Sequence, residues 1–165
     1  MWRLGAPALF AILAGCSSNE QAIRLDEPAT MLNVSDPRAE KQFVKGFFND
    51  AGPGRWTGRT FSALLKPPPT AARKGAILVL RFGIPGPSID RLRTIAVSAS
   101  VNGLALATEE YAKAGEFLYI REVPAASFRS GNASVDFSLD KALQPSATEH
   151  RELGVVVNTV GFEAK

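Results

Sequence analysis

Cysteine and histidine, which often serve as nucleophiles or metal ligands, are rare in this chain. Cys16 is the only cysteine and His150 the only histidine among the 165 residues. One histidine cannot build a multi-histidine metal site, and no Gly-x-Ser-x-Gly turn supports a catalytic serine. Asp136 and Asp140 lie on the polar face of a predicted strand, which indicates solvated charges, and the glycines of segment 83–87 lack phosphate-loop spacing. We therefore expect no catalytic residue, no metal and no cofactor.

The sulfur of Cys16 is the one group whose neighbours in sequence point to a defined chemistry. Arg3 is followed by the apolar stretch 4–13 and then by Leu-Ala-Gly-Cys at 13–16. This arrangement resembles the lipobox of bacterial lipoproteins, in which the cysteine is acylated and becomes the mature N-terminus. The apolar stretch is shorter than the about 20 residues that span a membrane. An ordinary secreted protein is the alternative, but its lone cysteine would have no disulfide partner.

The resemblance to lipoproteins implies an organisation in three parts. Residues 1–15 are expected to be a signal peptide, and 16–34 to hold the lipidated cysteine, a polar tether and a candidate first strand at 22–25. Residues 35–165 are expected to form the folded β-sandwich domain. Because two or three acyl chains anchor stably, the protein should lie on a membrane without crossing it. Ser17 occupies the position where aspartate signals inner-membrane retention, so the resemblance implies the outer membrane of the cell envelope.

Composition argues against a nucleic-acid partner. Hydrophobic residues make up 45% and charged residues 21% of the chain, values typical of one globular domain. The formal net charge is +3, and the basic residues are scattered along the chain rather than clustered in a run. The predicted strands also lack the alternation of basic and aromatic residues that is typical of surfaces that bind nucleic acid.

Alternating apolar residues predict about eight short strands. Segment 95–101 alternates cleanly, and Asn102-Gly103 after it is typical of a type I′ hairpin turn. Segment 76–82 is apolar at nearly every position, as expected of a central strand, and the final strand is expected at 153–162. Segment 35–40 is predicted to be a loop or a single helical turn, and 107–115 and 125–128 could each form one helical turn. No long amphipathic helix is predicted.

Many short strands punctuated by glycine, proline and asparagine predict an all-β fold, a single antiparallel, jelly-roll-like β-sandwich. The alternation also predicts which side chains point into its core. These are Val97, Val101, Val135, Phe137 and Val157.

Four segments in order resemble a known module. They are 46–48 (Gly-Phe-Phe), 54–57 (Gly-Arg-Trp-Thr), 97–103 (Val-Ser-Ala-Ser-Val-Asn-Gly) and 151–155 (Arg-Glu-Leu-Gly-Val). Their order and spacing are similar to the jelly-roll accessory domain found beside bacterial glycosyltransferases and other envelope-polysaccharide proteins. The resemblance covers about 43–162 and implies no catalytic function, since no transferase is attached.

Candidate binding residues follow from these segments. Trp56 could stack against a sugar ring, with Arg55 and Thr57 supplying hydrogen bonds, or its indole could fill the core. Tyr119 is the second aromatic candidate. Exposure of both rings on one concave face would favour sugar binding, and burial of both would favour a scaffold.

Arg151 and Glu152 could contact a polar ligand or form an ion pair that holds the loop against the last strand, with Arg55 nearby. The order of the segments further predicts that 54–57 and 151–154 meet in space.

Two functional hypotheses remain open. One is a non-catalytic carbohydrate-binding module that engages polysaccharide in the bacterial cell envelope. The other is a structural subunit that docks an envelope protein, for example in a polysaccharide export complex, through a sheet edge or loop face.

Overall fold

The computed structural model describes residues 28–49, 52–129 and 131–165. The predicted signal peptide, the lipidation of Cys16 and the candidate first strand lie outside these residues. Within them, the strands are β1 Met31–Asn33, β2 Phe43–Phe47, β3 Arg55–Leu65, β4 Ala76–Ile84, β5 Ile95–Val101, β6 Leu104–Ala105, β7 Glu109–Tyr111, β8 Gly115–Val123, β9 Ala133–Leu139 and β10 Val156–Ala164. The helices are α1 Ala71–Lys74, α2 Gly86–Leu92 and two 3-10 segments, Pro37–Gln42 and Ala125–Ser127.

The strands form two layers, which confirms the predicted antiparallel β-sandwich. The front sheet has the order β1, β10, β4, β8, and the back sheet has the order β2, β3, β9, β5, with β6 and β7 both paired to β5. Strand β3 belongs to both layers: Arg55 and Trp56 pair with β10, whereas Thr60 to Leu65 pair with β9. All these pairings are antiparallel, and β3 closes one side of the sandwich.

The core lies between the two sheets and is filled by the apolar half of each alternating strand. Residues of β5 and β9 alternate between buried and partly exposed, as the sequence predicts for strands with one face on a core. Phe137 stacks on Phe61 with 4.8 Å between ring centroids. The inward orientation predicted for five core residues is confirmed, because all are at least 98% buried: Val97, Val101, Val135, Phe137 and Val157.

Some elements differ from the prediction. Segment 107–115 contains strand β7, since pairing of Glu109 to Tyr111 with β5 outweighs the local helical preference. The last strand begins at Val156 rather than at Leu153, which makes only an isolated bridge to Leu143. Helix α2 was not predicted, because its first residues are rich in proline and glycine. Its partly buried Ile89 packs against the core.

The Asn102-Gly103 turn confirms the hairpin prediction at this site. Asn102 has φ 49° and Gly103 has φ 83°, the positive values that a type I′ turn requires at both central positions. The turn reverses the chain between β5 and β6, and Asn102 Oδ1 accepts a hydrogen bond from the Ser134 backbone at 2.9 Å. The turn is thereby fixed to the neighbouring strand β9.

The strand register defines two ends of the sandwich. At one end Leu65 pairs with Ala133 and Ala76 pairs with Val123, so the loops 66–75, 102–103 and 124–132 lie together there. The first described residues reach the same end, since the Lys66 backbone N–H donates to Ala29 O at 3.1 Å. We call this the Pro28 end. Strand β3 begins at the opposite end, which we call the Trp56 end.

Candidate ligand-binding site

A row of side chains crosses the outer face of the front sheet at the Trp56 end. Trp56 of β3 pairs with Val156 of β10, Val156 pairs with Gly83 of β4, and Gly83 pairs with Glu116 of β8. Residues directly opposite each other in antiparallel strands share a face. Trp56 is partly exposed between the buried Arg55 and the buried Thr57, so the indole lies on the outer side while its neighbours point inward.

Two glycines keep the surface low along this row. A Cβ on Gly83 would lie 2.5 Å from Glu116 Oε1, and a Cβ on Gly54 would lie 2.6 Å from Val156 Cγ1. The Glu116 carboxylate therefore lies over the backbone of Gly83, where any side chain would displace it. The result is an open depression of about 440 Å³, the Trp56 depression, lined by Gly52, Pro53, Gly54, Trp56, Glu116, Arg151, Val156 and Asn158.

Arg151 reaches the rim of the Trp56 depression in a fixed orientation. Its Nε donates to Glu149 Oε1 at 2.9 Å and its terminal nitrogen to Oε2 at 2.8 Å, a two-pronged contact that restricts the guanidinium. The guanidinium also lies over the Phe48 ring, 4.9 Å from the centroid. The hydrogen bonds from the Arg151 side chain, followed by that from its backbone N–H, lower the pKa of Glu149 to about 2.

Asn158 is a partly exposed residue that lines the same depression. It is the extra residue of an irregularity in β10, where the register to β4 shifts between Val157 and Thr159. Bulges of this kind redirect a side chain from the regular alternation of a strand. Its backbone carbonyl accepts from Val34 at 3.0 Å, whereas its buried Oδ1 has no hydrogen-bond partner in the described part of the chain.

Together these groups combine one aromatic surface with few polar groups of different kinds. The indole offers a flat apolar ring and an N–H donor. Glu116 supplies acceptor oxygens, Arg151 supplies donors of opposite charge to Glu116, and Asn158 adds a neutral amide to the lining. An open site with an aromatic ring and converging donors and acceptors suits a hydrated, polyhydroxylated ligand better than an apolar one.

Three of the predicted site residues are buried and do not line the Trp56 depression. Tyr119 pairs with Leu80, is 0% exposed and donates from its hydroxyl to Ala107 O at 2.7 Å. Thr57 is also 0% exposed, and its Oγ1 bonds to the backbone of Val155. The two aromatic candidates thus do not share a concave face, which the sugar-binding prediction required of both.

Arg55, the third of these residues, is 92% buried. Its terminal nitrogen lies 2.6 Å from Glu40 Oε2, and its guanidinium lies over the Phe43 ring at 5.0 Å. The hydrogen bond from Arg55 lowers the pKa of Glu40. The charge of Arg55 is thus neutralised by Glu40. The Arg55 side chain does not line the Trp56 depression.

The corner formed by 151–155 has contacts other than those predicted. The ion pair expected between Arg151 and Glu152 is replaced by the pair of Arg151 with Glu149 at 2.8 Å. Glu152 Oε1 instead accepts from the Arg59 backbone N–H at 3.1 Å. Glu149 is favoured because it lies two residues away in the same tight loop, where its carboxylate also accepts the Arg151 backbone N–H.

The predicted meeting of segments 54–57 and 151–154 is confirmed. Thr57 N donates to Val155 O at 2.9 Å, and Gly154 N donates to Thr57 O at 2.6 Å. A Cβ on Gly154 would lie 2.6 Å from Gly58 O, so the two chains approach too closely for a side chain there. This contact brings Arg151 beside Trp56.

Sequence reasoning missed Glu116, Asn158 and the role of Gly83. A glycine inside an otherwise apolar strand was a usable signal, because it often marks a close approach of another group. Glu116 and Asn158 gave no such signal, since their proximity to Trp56 depends on strand order and on the irregularity in β10.

No group of three or more His, Cys, Asp or Glu side chains in the described ranges could hold a metal ion. In the same ranges, no helix has the length and apolar character needed to cross a membrane.

No model of a known protein family matches the sequence, and the sequence matches no curated protein. Among solved structures, the chain is similar to the CBM36-1 domain of a multidomain xylanase from the hindgut metagenome of Trinervitermes trinervoides. The identity is 13% and the TM-score 0.47, over 82% of this chain and 97% of that domain. It is also similar to the exo-β-1,3-galactanase of Phanerochaete chrysosporium, with 11% identity and a TM-score of 0.41, over 82% of this chain and 29% of the galactanase.

Proposed function

We propose that this protein is a non-catalytic carbohydrate-binding module of the bacterial cell envelope, anchored by lipid at Cys16. The observation that carries the binding proposal is the Trp56 depression, where Glu116, Arg151 and Asn158 surround a partly exposed indole. The proposed ligand is a polysaccharide segment. One apolar face of a sugar ring packs on the indole, and its hydroxyl groups exchange hydrogen bonds with the three polar side chains.

The charges of the site support a neutral sugar. Glu116 and Arg151 contribute one charge of each sign, and Arg151 is already neutralised in part by Glu149. A strongly anionic ligand would therefore meet the Glu116 carboxylate without a compensating excess of positive charge.

The placement of the site also supports an anchored module. The chain enters the described domain at the Pro28 end, where Ala29 bonds to Gln42 and Lys66. The Trp56 depression lies at the opposite end of the strands. A lipid anchor upstream of Pro28 would leave this depression facing away from the membrane and accessible to polysaccharide.

A glycan-array screen of the full chain, with Cys16→Ser to keep it soluble, identifies the sugar, and titration of the best glycan tests the site. Trp56→Ala should weaken binding at least about tenfold, as expected when a central aromatic contact is lost. Ile120→Ala is the matched control, because Ile120 is exposed on the same face but does not line the depression. Equal binding by wild type and Trp56→Ala would refute the site.

The anchor has a separate test in the native host. Cys16→Ser should abolish palmitate labelling and leave uncleaved precursor, since a hydroxyl cannot replace the thiol that carries the diacylglyceryl group. Fractionation of the labelled wild type should place it with the outer membrane. Efficient labelling of the Cys16→Ser chain would show that the lipid is not attached there.

A second candidate function, docking of an envelope protein, is favoured by one further observation on the front sheet. Leu118 and Ile120 of β8 are 45% and 47% exposed, and they lie beside Arg81 and Val79 of β4 on the outer face. Strand β8 is also the last strand of its sheet. An edge strand with apolar outward side chains can add a strand from a partner protein.

The two candidates are separable because they use different residues of one face. Ile120→Asp should remove protein docking and leave glycan affinity unchanged, whereas Trp56→Ala should do the reverse. Cross-linking in the envelope and glycan titration of both variants measure the two effects. Loss of both activities in either variant would indicate a disturbed fold, which a thermal melt detects.

A further inference from the structure

The three loops of the Pro28 end carry charges of one sign only. Segments 66–75, 102–103 and 124–132 contain Lys66, Arg73, Lys74 and Arg129 and no acidic residue. The register places these loops side by side, and Lys66 and Arg129 line the same depression. Arg73, Lys74 and Arg129 are exposed. Residues that are scattered along the sequence thus form a basic cluster in the fold.

The cluster is carried by a rigid platform. Ala71 of α1 is buried, and α1 packs against the 3-10 segment Ala125–Ser127. Three consecutive prolines, 67–69, restrict the chain before α1. Apolar side chains lie among the charges, since Leu104 is 39% exposed and lines a second depression together with Arg129. A basic surface with exposed apolar groups is suited to an anionic lipid surface.

The path of the chain brings this end to a membrane. Pro28 is the first described residue, and the next residue, Ala29, bonds to the Lys66 backbone. Cys16 precedes Pro28 by 12 positions, a stretch that spans at most about 40 Å when fully extended. A lipid at Cys16 would therefore hold the basic cluster within that distance of the lipid headgroups. Electrostatic attraction between the cluster and anionic headgroups acts once their separation falls to the Debye length of about 10 Å.

We infer that the Pro28 end docks on an anionic lipid surface through Arg73, Lys74 and Arg129, with Lys66 beside them. Docking orients the sandwich so that the Trp56 depression points away from the bilayer. The geometry of this inference rests on the proposed anchor at Cys16. Its test, however, does not use the lipid, so the two proposals can fail independently.

The test is flotation of the full chain with vesicles, using Cys16→Ser protein throughout. Vesicles of phosphatidylcholine alone are compared with vesicles holding about one-third phosphatidylglycerol. The triple variant Arg73→Gln, Lys74→Gln, Arg129→Gln should lower partitioning to the anionic vesicles at least about tenfold, since each basic residue near the surface contributes separately. Binding to phosphatidylcholine alone, which includes any contribution of the apolar segment 4–13, should not change.

A matched control removes the same charges elsewhere. Arg91→Gln, Arg93→Gln, Lys113→Gln also deletes two arginines and one lysine, all exposed at the Trp56 end. It should change partitioning to anionic vesicles by less than about twofold, and the difference between the triples should vanish near 0.5 M salt, where screening is strong. Equal losses in both triples would overturn the inference, because net charge alone would then explain them.

Two further outcomes are decisive. If the first triple variant unfolds, the double variant Arg73→Glu, Lys74→Glu replaces it, and unchanged vesicle binding by that folded double variant refutes docking. Binding of an acidic polysaccharide by the wild type without binding to anionic vesicles would also overturn the inference in favour of a soluble polyanion. Charge-dependent flotation of the wild type, lost only in the Pro28-end variants, supports it.

Discussion

The aromatic residues on the two faces of the front sheet differ in burial. Tyr119, on the inner face, is completely buried and is held by a hydrogen bond to Ala107 O and by Arg121, which lies 4.2 Å from the ring centroid. Trp56, on the outer face, remains partly exposed beside Glu116 and Arg151. Each lies in a strand of the same sheet. The side of the sheet that each one occupies, rather than its residue type, therefore separates a core residue from a candidate ligand contact.

The two arginines of the candidate segments repeat this contrast. Arg55 is itself buried against Phe43 and is paired with the exposed carboxylate of Glu40. Arg151 makes an analogous pair and an analogous ring contact, with Glu149 and Phe48, but at the rim of an open depression. The same combination of carboxylate, guanidinium and aromatic ring stabilises the interior in one case and orients a surface group in the other.

The largest effect should come from the inner face. Tyr119→Ala is expected to lower the free energy of unfolding by about 3–5 kcal/mol, because it leaves a large cavity and removes one of the two hydrogen bonds to Ala107 O. Phe137→Ala, in the facing sheet, should fall in the same range. Urea titration measures both. A loss below about 1 kcal/mol for either residue would contradict its assignment to the core.

The contact between β3 and the loop before β10 should be the next most sensitive. Gly154→Ala is expected to cost about 1–3 kcal/mol, because its Cβ would press on the backbone oxygen of Gly58 and force one chain to move. Gly103→Ala is not a suitable control because of its positive φ, whereas Gly86→Ala is suitable, since no atom lies near its Cβ position. Thermal melts of both variants measure the difference, and equal stability would contradict the close approach.

Substitutions on the outer face of the front sheet should change glycan affinity more than the free energy of unfolding. Trp56→Ala is expected to lower the free energy of unfolding by about 1 kcal/mol or less, as for a residue near the surface, while glycan affinity is lost. Gly83→Ser should also weaken the glycan, because its side chain would displace the Glu116 carboxylate from the floor of the depression. If Trp56→Ala lowered the free energy of unfolding by more than about 3 kcal/mol, the indole would belong to the core. The contrast between Trp56 on the outer face and Tyr119 on the inner face would then be wrong.

The smallest expected effect is the pH dependence of the Glu149–Arg151 ion pair at the rim of the Trp56 depression. Hydrogen bonds from Arg151 lower the pKa of Glu149 to about 2 from an ordinary value of 4.5. A depressed carboxyl pKa gives stability that is present above pH 4.5 and lost as the pH falls toward 2. The Glu149–Arg151 pair should therefore survive unchanged from pH 7 to pH 4.5. Carbon-13 NMR of the Glu149 carboxyl checks this, and in Arg151→Gln its titration should return toward the ordinary value.

Local patterns predicted much of the fold because strand alternation depends on nearby residues. The inward side chains of β5 and β9 and the hairpin at Asn102-Gly103 follow from period-two burial and from positive φ, both properties of a few consecutive positions. Strand β7 was missed because it is only three residues long and becomes a strand only when β5 lies beside it.

The β-sandwich class, the core-facing half of the regular strands and the meeting of segments 54–57 and 151–154 could all be predicted from the amino-acid sequence. The burial of Tyr119, the partial exposure of Trp56, the pairing of Arg151 with Glu149 and the position of Glu116 and Asn158 at the depression became known from the folded structure. Alternation specifies two faces of a strand without specifying what covers each one. Which face is buried, and which distant side chains share it, depends on the order and register in which the sheets assemble.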